Sequence, residues 1–332
     1  VTNHLPPLGE FGRIERFFRP LAAGFPGALN LTDDAATIPV PAGKELVVTT
    51  DAIVAGVHFL PDDPPADIAR KALRVNLSDL AAKGATPLAY TLTLATGAGE
   101  DDRWVEAFAD GLASDQTQYG IALAGGDSVS TPGPVWVSIT AFGLADAGRT
   151  VRRNGAKPGD VVMVTGTIGD AAFGLAVLQG NLAVPEADRV ALVDRYRLPR
   201  PRTALAEAIG QFAHASVDVS DGLAADFGHL CRASNVQGTI LADKVPLSPE
   251  AGRVLAADPG RLSDVLGGGD DYEVLLTVPP DRTAALAAVA ESAGVVFTEI
   301  GHIAAASRDP GAIVLNADGS PTALPRPGWT HV

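Results

Sequence analysis

Acidic side chains recur where apolar runs of this 332-residue chain end: Asp33 and Asp34 in LTDDAA, Asp51 in VVTTDAIVAGVHF, Asp79 in NLSDLAA, and Asp127 in LAGGDS. The second half adds Asp218 and Asp221 in VDVSDGL, then Asp270 and Asp271 in GGGDDYE. Carboxylates gathered in a confined volume repel one another, and something must offset that repulsion. Hard cations can do so. Mg²⁺ prefers carboxylate, carbonyl and water oxygens and bridges to substrate phosphates, so several monodentate aspartates fit it. Thr49 and Thr50 place hydroxyls beside Asp51. Each aspartate taken alone fits an ordinary helix N-cap or turn equally well. Six separate acidic turns, two of them preceded by glycine pairs that permit close backbone approach to a ligand, favour a polyphosphate site with metals.

Several other chemistries are excluded. The chain has no G-x-x-x-x-G-K-[ST], no G-x-G-x-x-G after a strand and no H-E-x-x-H. Lysine occurs only at Lys44, Lys71, Lys83, Lys157 and Lys244, so phosphate neutralisation falls to metals and to arginines such as Arg152 and Arg153, which also read as solvated linker charges. The net charge of -14 opposes the counterion release that drives nucleic-acid binding. A single cysteine, Cys231, rules out an internal disulfide and a Cys-rich zinc site, fits a reducing compartment, and reads as a small core residue. The longest uncharged span ends in an alternating Val135, Val137, Ile139 pattern, a strand rather than a membrane helix. With no signal peptide visible, the expectation is a cytoplasmic protein with neither nucleic acid nor membrane as partner.

The elements that must hold these turns follow from periodicity. Phe11, Ile14, Phe17 and Leu21 space an amphipathic first helix. A strand over 46–51, a helix over 66–83, a strand over 87–95, a helix carrying Trp104, Phe108 and Leu112, and strands over 121–124 and 135–144 complete a mixed α/β unit. The polar, basic stretch DAGRTVRRNGAKPG over 146–159 marks a boundary, giving domains 1–148 and 149–332. In the second, helices over 170–178, 203–212, 223–233 and 283–293 alternate with strands over 161–165, 217–219, 273–278 and 312–315, again α/β.

GEFGRIERFF, TDDAA, TTDAIVAGVHF, ARKALRVNLSDLAAKGATP, LAGGDS, RRNGAKPGD, DVSDGL and GGGDDYE, in this order and over nearly the whole chain, resemble the thiamine-monophosphate kinase family of the aminoimidazole-ribonucleotide-synthetase-like superfamily. The resemblance implies a two-domain PurM-like α/β (α+β) fold and a homodimer whose N-terminal sheets pair into a barrel. It implies direct transfer of the terminal phosphoryl group of ATP to thiamine monophosphate with several Mg²⁺ ions and no covalent nucleophile. Carried over by position, metal ligands fall on Asp33, Thr49, Thr50, Asp51, Asp79, Asp127, Asp218 and Asp221. Nucleotide contacts fall on Gly126, Asp127, Arg153 and Ser220, and thiamine-phosphate contacts on His58, Asp270 and Trp329. Two positions depart from the family pattern: Thr32 stands where glycine is usual, and Asp270 where glutamate is usual. Alternatives are another ATP-dependent superfamily reaction, such as ring closure or selenophosphate formation, or a non-catalytic nucleotide-binding maturation factor. The missing N-terminal cysteine disfavours selenophosphate formation.

Overall fold

The structure, a computed structural model, describes residues 8–306, 309–324 and 328. The chain divides into two compact units: the described residues up to Leu80 with Pro87–Asp146, and Ala81–Thr86 with those from Ala147 onward.

The first unit opens with α1 (Glu10–Arg13), a π-helical turn over Ile14–Phe18, and α2 (Arg19–Ala22). The expected single α-helix is therefore interrupted. Pro20 has no N–H to give to the helical ladder, and the Arg19 N–H reaches back five residues to the Ile14 carbonyl. After these come β1 (Lys44–Val54), α3 (Pro65–Ala82), β2 (Thr86–Thr96), α4 (Asp102–Tyr119), β3 (Ala122–Ser130) and β4 (Trp136–Asp146). The ends of α4 are written in its sequence. The Asp101 side chain accepts from the Arg103 and Trp104 N–H groups, and Gly120 closes the helix in the left-handed region at φ 66°.

The sheet runs β1-β4-β2-β3, with β1 antiparallel to β4 and β3 parallel to β2. In β4 the alternation is strict: Val137, Ile139, Ala141 and Ala145 are buried, while Trp136, Ser138, Thr140 and Phe142 are half-buried. The register Thr49↔Ala141 and Thr50↔Thr140 places Thr49 and Asp51 on the covered face and Thr50 on the other. β3 is longer than the sequence suggests. It continues through Gly125, Gly126 and Asp127, because a bulge opposite Tyr90 and Thr91 re-registers it on β2 and the glycines tolerate the approach.

The second unit contains β5 (Val161–Thr165), α5 (Asp170–Leu178), α6 (Glu186–Arg197), α7 (Ala206–Phe212), β6 (Ala215–Asp218), α8 (Leu223–Ser234), β7 (Val236–Leu241), α9 (Pro249–Ala257), α10 (Leu262–Gly267), β8 (Val274–Val278), α11 (Thr283–Ser292), β9 (Phe297–Ala305) and β10 (Gly311–Leu315). Its sheet runs β10-β7-β9-β5-β8-β6. All five residues of β8 are buried, as a continuous apolar run demands. Val162, Val164, Phe173, Val217, Phe227, Leu230, Leu275 and Ile300 belong to one core, each large side chain contributing about 1.5–3 kcal/mol of transfer free energy. Cys231 lies in that core, fully buried.

Candidate active site

In the first unit the chain between α2 and β1 approaches Asp33 through Leu29, Asn30 and Leu31, three consecutive residues with φ of 51°, 59° and 55°. Side chains rarely adopt this left-handed region, and its cost is of order 1–2 kcal/mol per residue. Thr32, by contrast, has φ -115°, which requires no glycine, and its hydroxyl donates to the Leu29 carbonyl at 2.8 Å. The turn presents Asp33 and Asp34 to a cleft of about 270 Å³. The opposite wall is β3, with Gly125, Gly126, Asp127 and Ser128, and Ile14, Phe18 and Leu31 supply an apolar flank. Gly126 is there because its neighbour is too close: a Cβ would lie 1.9 Å from the Leu92 carbonyl oxygen. Gly126 thus answers to the chain's own backbone, whereas a Cβ on Gly125 would meet nothing within 4 Å, so the ligand approach read from the sequence stays open there.

Asp79 on α3 accepts a hydrogen bond from the Thr49 hydroxyl at 2.5 Å. Thr50 turns to the other face, where its hydroxyl accepts from Thr140 at 3.0 Å and donates to the Ile139 carbonyl. Asp51 is exposed on the same face as Thr49. His58 follows β1; its Nδ1 accepts the Val54 N–H at 3.1 Å, leaving Nε2 to carry the proton of the neutral ring. The Lys71 ammonium, itself almost wholly buried, donates to the His58 carbonyl at 2.9 Å and holds that turn.

In the second unit Asp218 ends β6, and the loop Val219–Gly222 leads into α8. The Ser220 carbonyl accepts from the Asp270 N–H and the Val219 carbonyl from the Tyr272 N–H, both at 2.8 Å. Asp270 and Tyr272 adopt φ of 63° and 51°, and a Cβ on Gly269 would lie 2.5 Å from the Ser220 oxygen. The GGGDDYE segment is therefore fitted to the back of the Ser220 loop. The positive charge of Arg153 favours the ionised form of the Asp226 carboxyl. Gly328 lies against the Asp221 backbone, while Trp329 falls outside the described residues.

Of the residues that hold this second half, Asp226 and Glu273 were missed in the sequence, and Asp271 was seen only as part of an acidic turn. Asp226 accepts from three successive N–H groups, those of Ser220, Asp221 and Gly222, at 3.0, 3.0 and 3.2 Å. Burial, with the nearby Asp221 charge, pushes its carboxyl up to about 7 against the pull of those donors. A signal exists in the sequence: Asp226 sits among Leu223, Phe227 and Leu230 on the buried side of α8, where a charge has no place without a partner. Both oxygens of Asp271 accept the Gly169 N–H at 3.0 Å, and burial pushes this carboxyl well above the usual range. Glu273 is gripped by Arg195 and Arg202 and accepts from the Thr165 hydroxyl at 2.6 Å.

The donor set named by the sequence is carboxylate and hydroxyl oxygen throughout, which suits a hard divalent cation. Among the described residues, no three Asp, Glu, His or Cys side chains converge as a preformed metal cage. A Mg²⁺ ion there would need one or two carboxylates completed by substrate oxygens and water, the usual pattern for that ion. No helix among the described residues is long and apolar enough to cross a membrane.

Comparison with known proteins matches residues 32–145 to the AIR synthase related protein N-terminal domain and residues 157–311 to the AIR synthase related protein C-terminal domain. The chain is 45% identical over 329 residues to the thiamine-monophosphate kinase of Caulobacter vibrioides, covering 98% of this chain and 91% of that protein. The crystal structure of thiamine-monophosphate kinase from Stenotrophomonas maltophilia superposes with a TM-score of 0.79 at 42% identity, covering 88% of this chain and 90% of that one. AaThiL complexed with AMPPCP and TMP superposes at 0.78 with 32% identity over the whole of both chains. The chain belongs to the thiamine-monophosphate kinase family, on the two-domain AIR-synthase-related fold.

Proposed function

We propose that this chain transfers the terminal phosphoryl group of ATP to thiamine monophosphate, giving thiamine diphosphate and ADP. The observation that carries this is the full-length relationship to thiamine-monophosphate kinases, at 45% identity for the Caulobacter protein. The complex of AaThiL with AMPPCP, a triphosphate analogue of ATP, and TMP supports both reactants. We assign residues 1–148 as the ATP- and Mg²⁺-binding domain and 149–332 as the C-terminal AIR-synthase-like domain.

The physical problem is charge. A phosphate monoester and a triphosphate must meet on a chain of net charge -14 with five lysines. Several Mg²⁺ ions held by Asp33, Thr49, Thr50, Asp51, Asp79, Asp127, Asp218 and Asp221 would supply the electrostatic screening. The opposite facing of the Thr50 side chain leaves its backbone carbonyl as the group to test at that position. Gly126, Asp127, Arg153 and Ser220 contact the nucleotide in this reading. In the same reading His58, whose Nδ1 accepts the Val54 N–H, and Asp270 contact thiamine monophosphate, and Trp329 is the aromatic for the thiazolium cation. Phosphoryl transfer needs positioning and electrostatic stabilisation rather than a covalent nucleophile.

A homodimer is part of the proposal. Val48, 53% exposed, and the half-buried Trp136, Phe142 and Leu144 share one face of a sheet whose β1 edge, among the described residues, pairs on one side only, as a second copy of the sheet would require. A cytoplasmic location is supported by the single cysteine, buried and unpaired. The test is ADP release with thiamine monophosphate present and absent, products identified by mass. The reading requires ADP and thiamine diphosphate in equal amounts, and ADP release indifferent to thiamine monophosphate overturns it.

A further inference from the structure

Asp226 lies in the first turn of α8, and its side chain turns back on the loop that precedes the helix. The residue is 2% exposed, and one carboxyl oxygen, Oδ2, receives the N–H groups of Ser220, Asp221 and Gly222. The other side of the loop is fixed independently by the Asp270 and Tyr272 N–H groups. Gly222 adopts φ 131°, and a Cβ there would lie 2.9 Å from the Gly267 backbone, so the loop has no room to relax toward α10. Three donors on consecutive residues form a concave set that ordinarily seeks an anion. Here the anion is internal.

We infer that Asp226 is a positioning residue: it touches neither reactant but, by filling the concave N–H set of Ser220–Gly222, fixes the Ser220 and Asp221 side chains in the orientation from which they contact nucleotide and ion. This rests on the proposed roles of Ser220 and Asp221. An unfilled set would leave one buried donor, on Gly222, and two part-buried ones, on Ser220 and Asp221, competing for water or for the nucleotide's own phosphates, and the loop would lose its single conformation. The carboxyl therefore acts first on nucleotide and cation binding, and on thiamine monophosphate only at second hand, through the Asp270 N–H that the Ser220 carbonyl accepts.

Amide hydrogen exchange on the full chain, with and without AMPPCP and Mg²⁺, is read alongside steady-state kinetics of the wild type, Asp226→Asn and Asp226→Ala. Asp226→Asn conserves volume but exchanges the carboxylate for a neutral amide, a weaker acceptor that brings an N–H₂ donor into a site built from donors, so it decides the matter if the alanine variant fails to fold. The expected results are at least tenfold faster exchange at residues 220–222 in the free variants and a tenfold or greater rise in half-saturating ATP and Mg²⁺. The KM for thiamine monophosphate should rise less than the half-saturating ATP, and Asp226→Glu should recover part of the ATP effect. A merely structural role would lower kcat with all half-saturation constants unchanged. Wild-type exchange at 220–222 that AMPPCP slows, combined with variants of unaltered exchange or unaltered ATP half-saturation, overturns the inference alone. Wild-type exchange there that AMPPCP does not slow overturns the assignment of Ser220 to the nucleotide, and the inference with it.

Discussion

Substituting Gly126 by alanine tests whether the backbone of β3 sets the position of Asp127. The added Cβ would lie 1.9 Å from the Leu92 carbonyl oxygen and 3.0 Å from the Leu92 nitrogen, whereas ordinary contact begins near 3.4 Å. β3 must therefore move off β2 by about 1.5 Å at this point, since the contacted atoms are backbone and cannot swing aside. Asp127 is the next residue on the strand and must travel with it. A misplacement of about 1 Å in a reacting assembly costs on the order of 10²-fold in rate. The variant should thus lose about 10²-fold in kcat/KM for ATP while retaining its circular dichroism spectrum, because β3 is an edge strand and the second unit has its own core. The assay is ADP production at fixed thiamine monophosphate, normalised to folded protein by thermal denaturation. A folded Gly126→Ala protein with wild-type kcat/KM would show that the strand absorbs the methyl without moving Asp127, and the reasoning would fail.

Other expectations follow from particular contacts. Asp115 is fully buried between Arg74, at 2.6 and 2.8 Å, and Arg70, at 3.0 Å, so Asp115→Ala leaves guanidinium charge without its partner and should cost about 3–5 kcal/mol in urea denaturation. A loss under about 1 kcal/mol would mean that water replaces the carboxylate. Burial pushes the Cys231 thiol up to about 12, so the native protein at pH 8 should resist a thiol reagent that modifies the urea-unfolded chain at once; equal rates would contradict this. Asp127→Asn conserves volume and removes a full ligand charge, so turnover should drop by orders of magnitude with little change in melting temperature, and unchanged turnover would remove Asp127 from the metal site.

Much of this architecture was legible. The alternation over Val135–Leu144 pointed to β4, because a half-covered sheet strand has a period of two, and the spacing of Trp104, Phe108 and Leu112 on one face pointed to α4. What escaped had weak local signals. α6 mixes Arg189, Val190 and Asp194 without a clear stripe, and β9 places Glu299 and His302 among apolar residues, so neither pattern stands out without its neighbours. The site was legible as a set of acidic turns but not as an arrangement. Nothing local shows that Thr49 bonds Asp79 thirty residues away or that Gly126 and Gly269 answer to Leu92 and Ser220, although the period of two in a strand already sets Thr50 on the face opposite Thr49. Glu273 works on guanidinium groups that only tertiary contact brings to it, whereas Asp226, a charge on the apolar side of α8, carried a local signal that the acidic turns overshadowed.

The most direct measurement follows the γ-phosphoryl group itself. ATP labelled in its γ-phosphorus, thiamine monophosphate and Mg²⁺ are incubated with the protein, and products are separated after a single turnover. Direct transfer places one equivalent of label in thiamine diphosphate and none in free phosphate. Label recovered as inorganic phosphate, or retained on the protein as a covalent adduct, would contradict it.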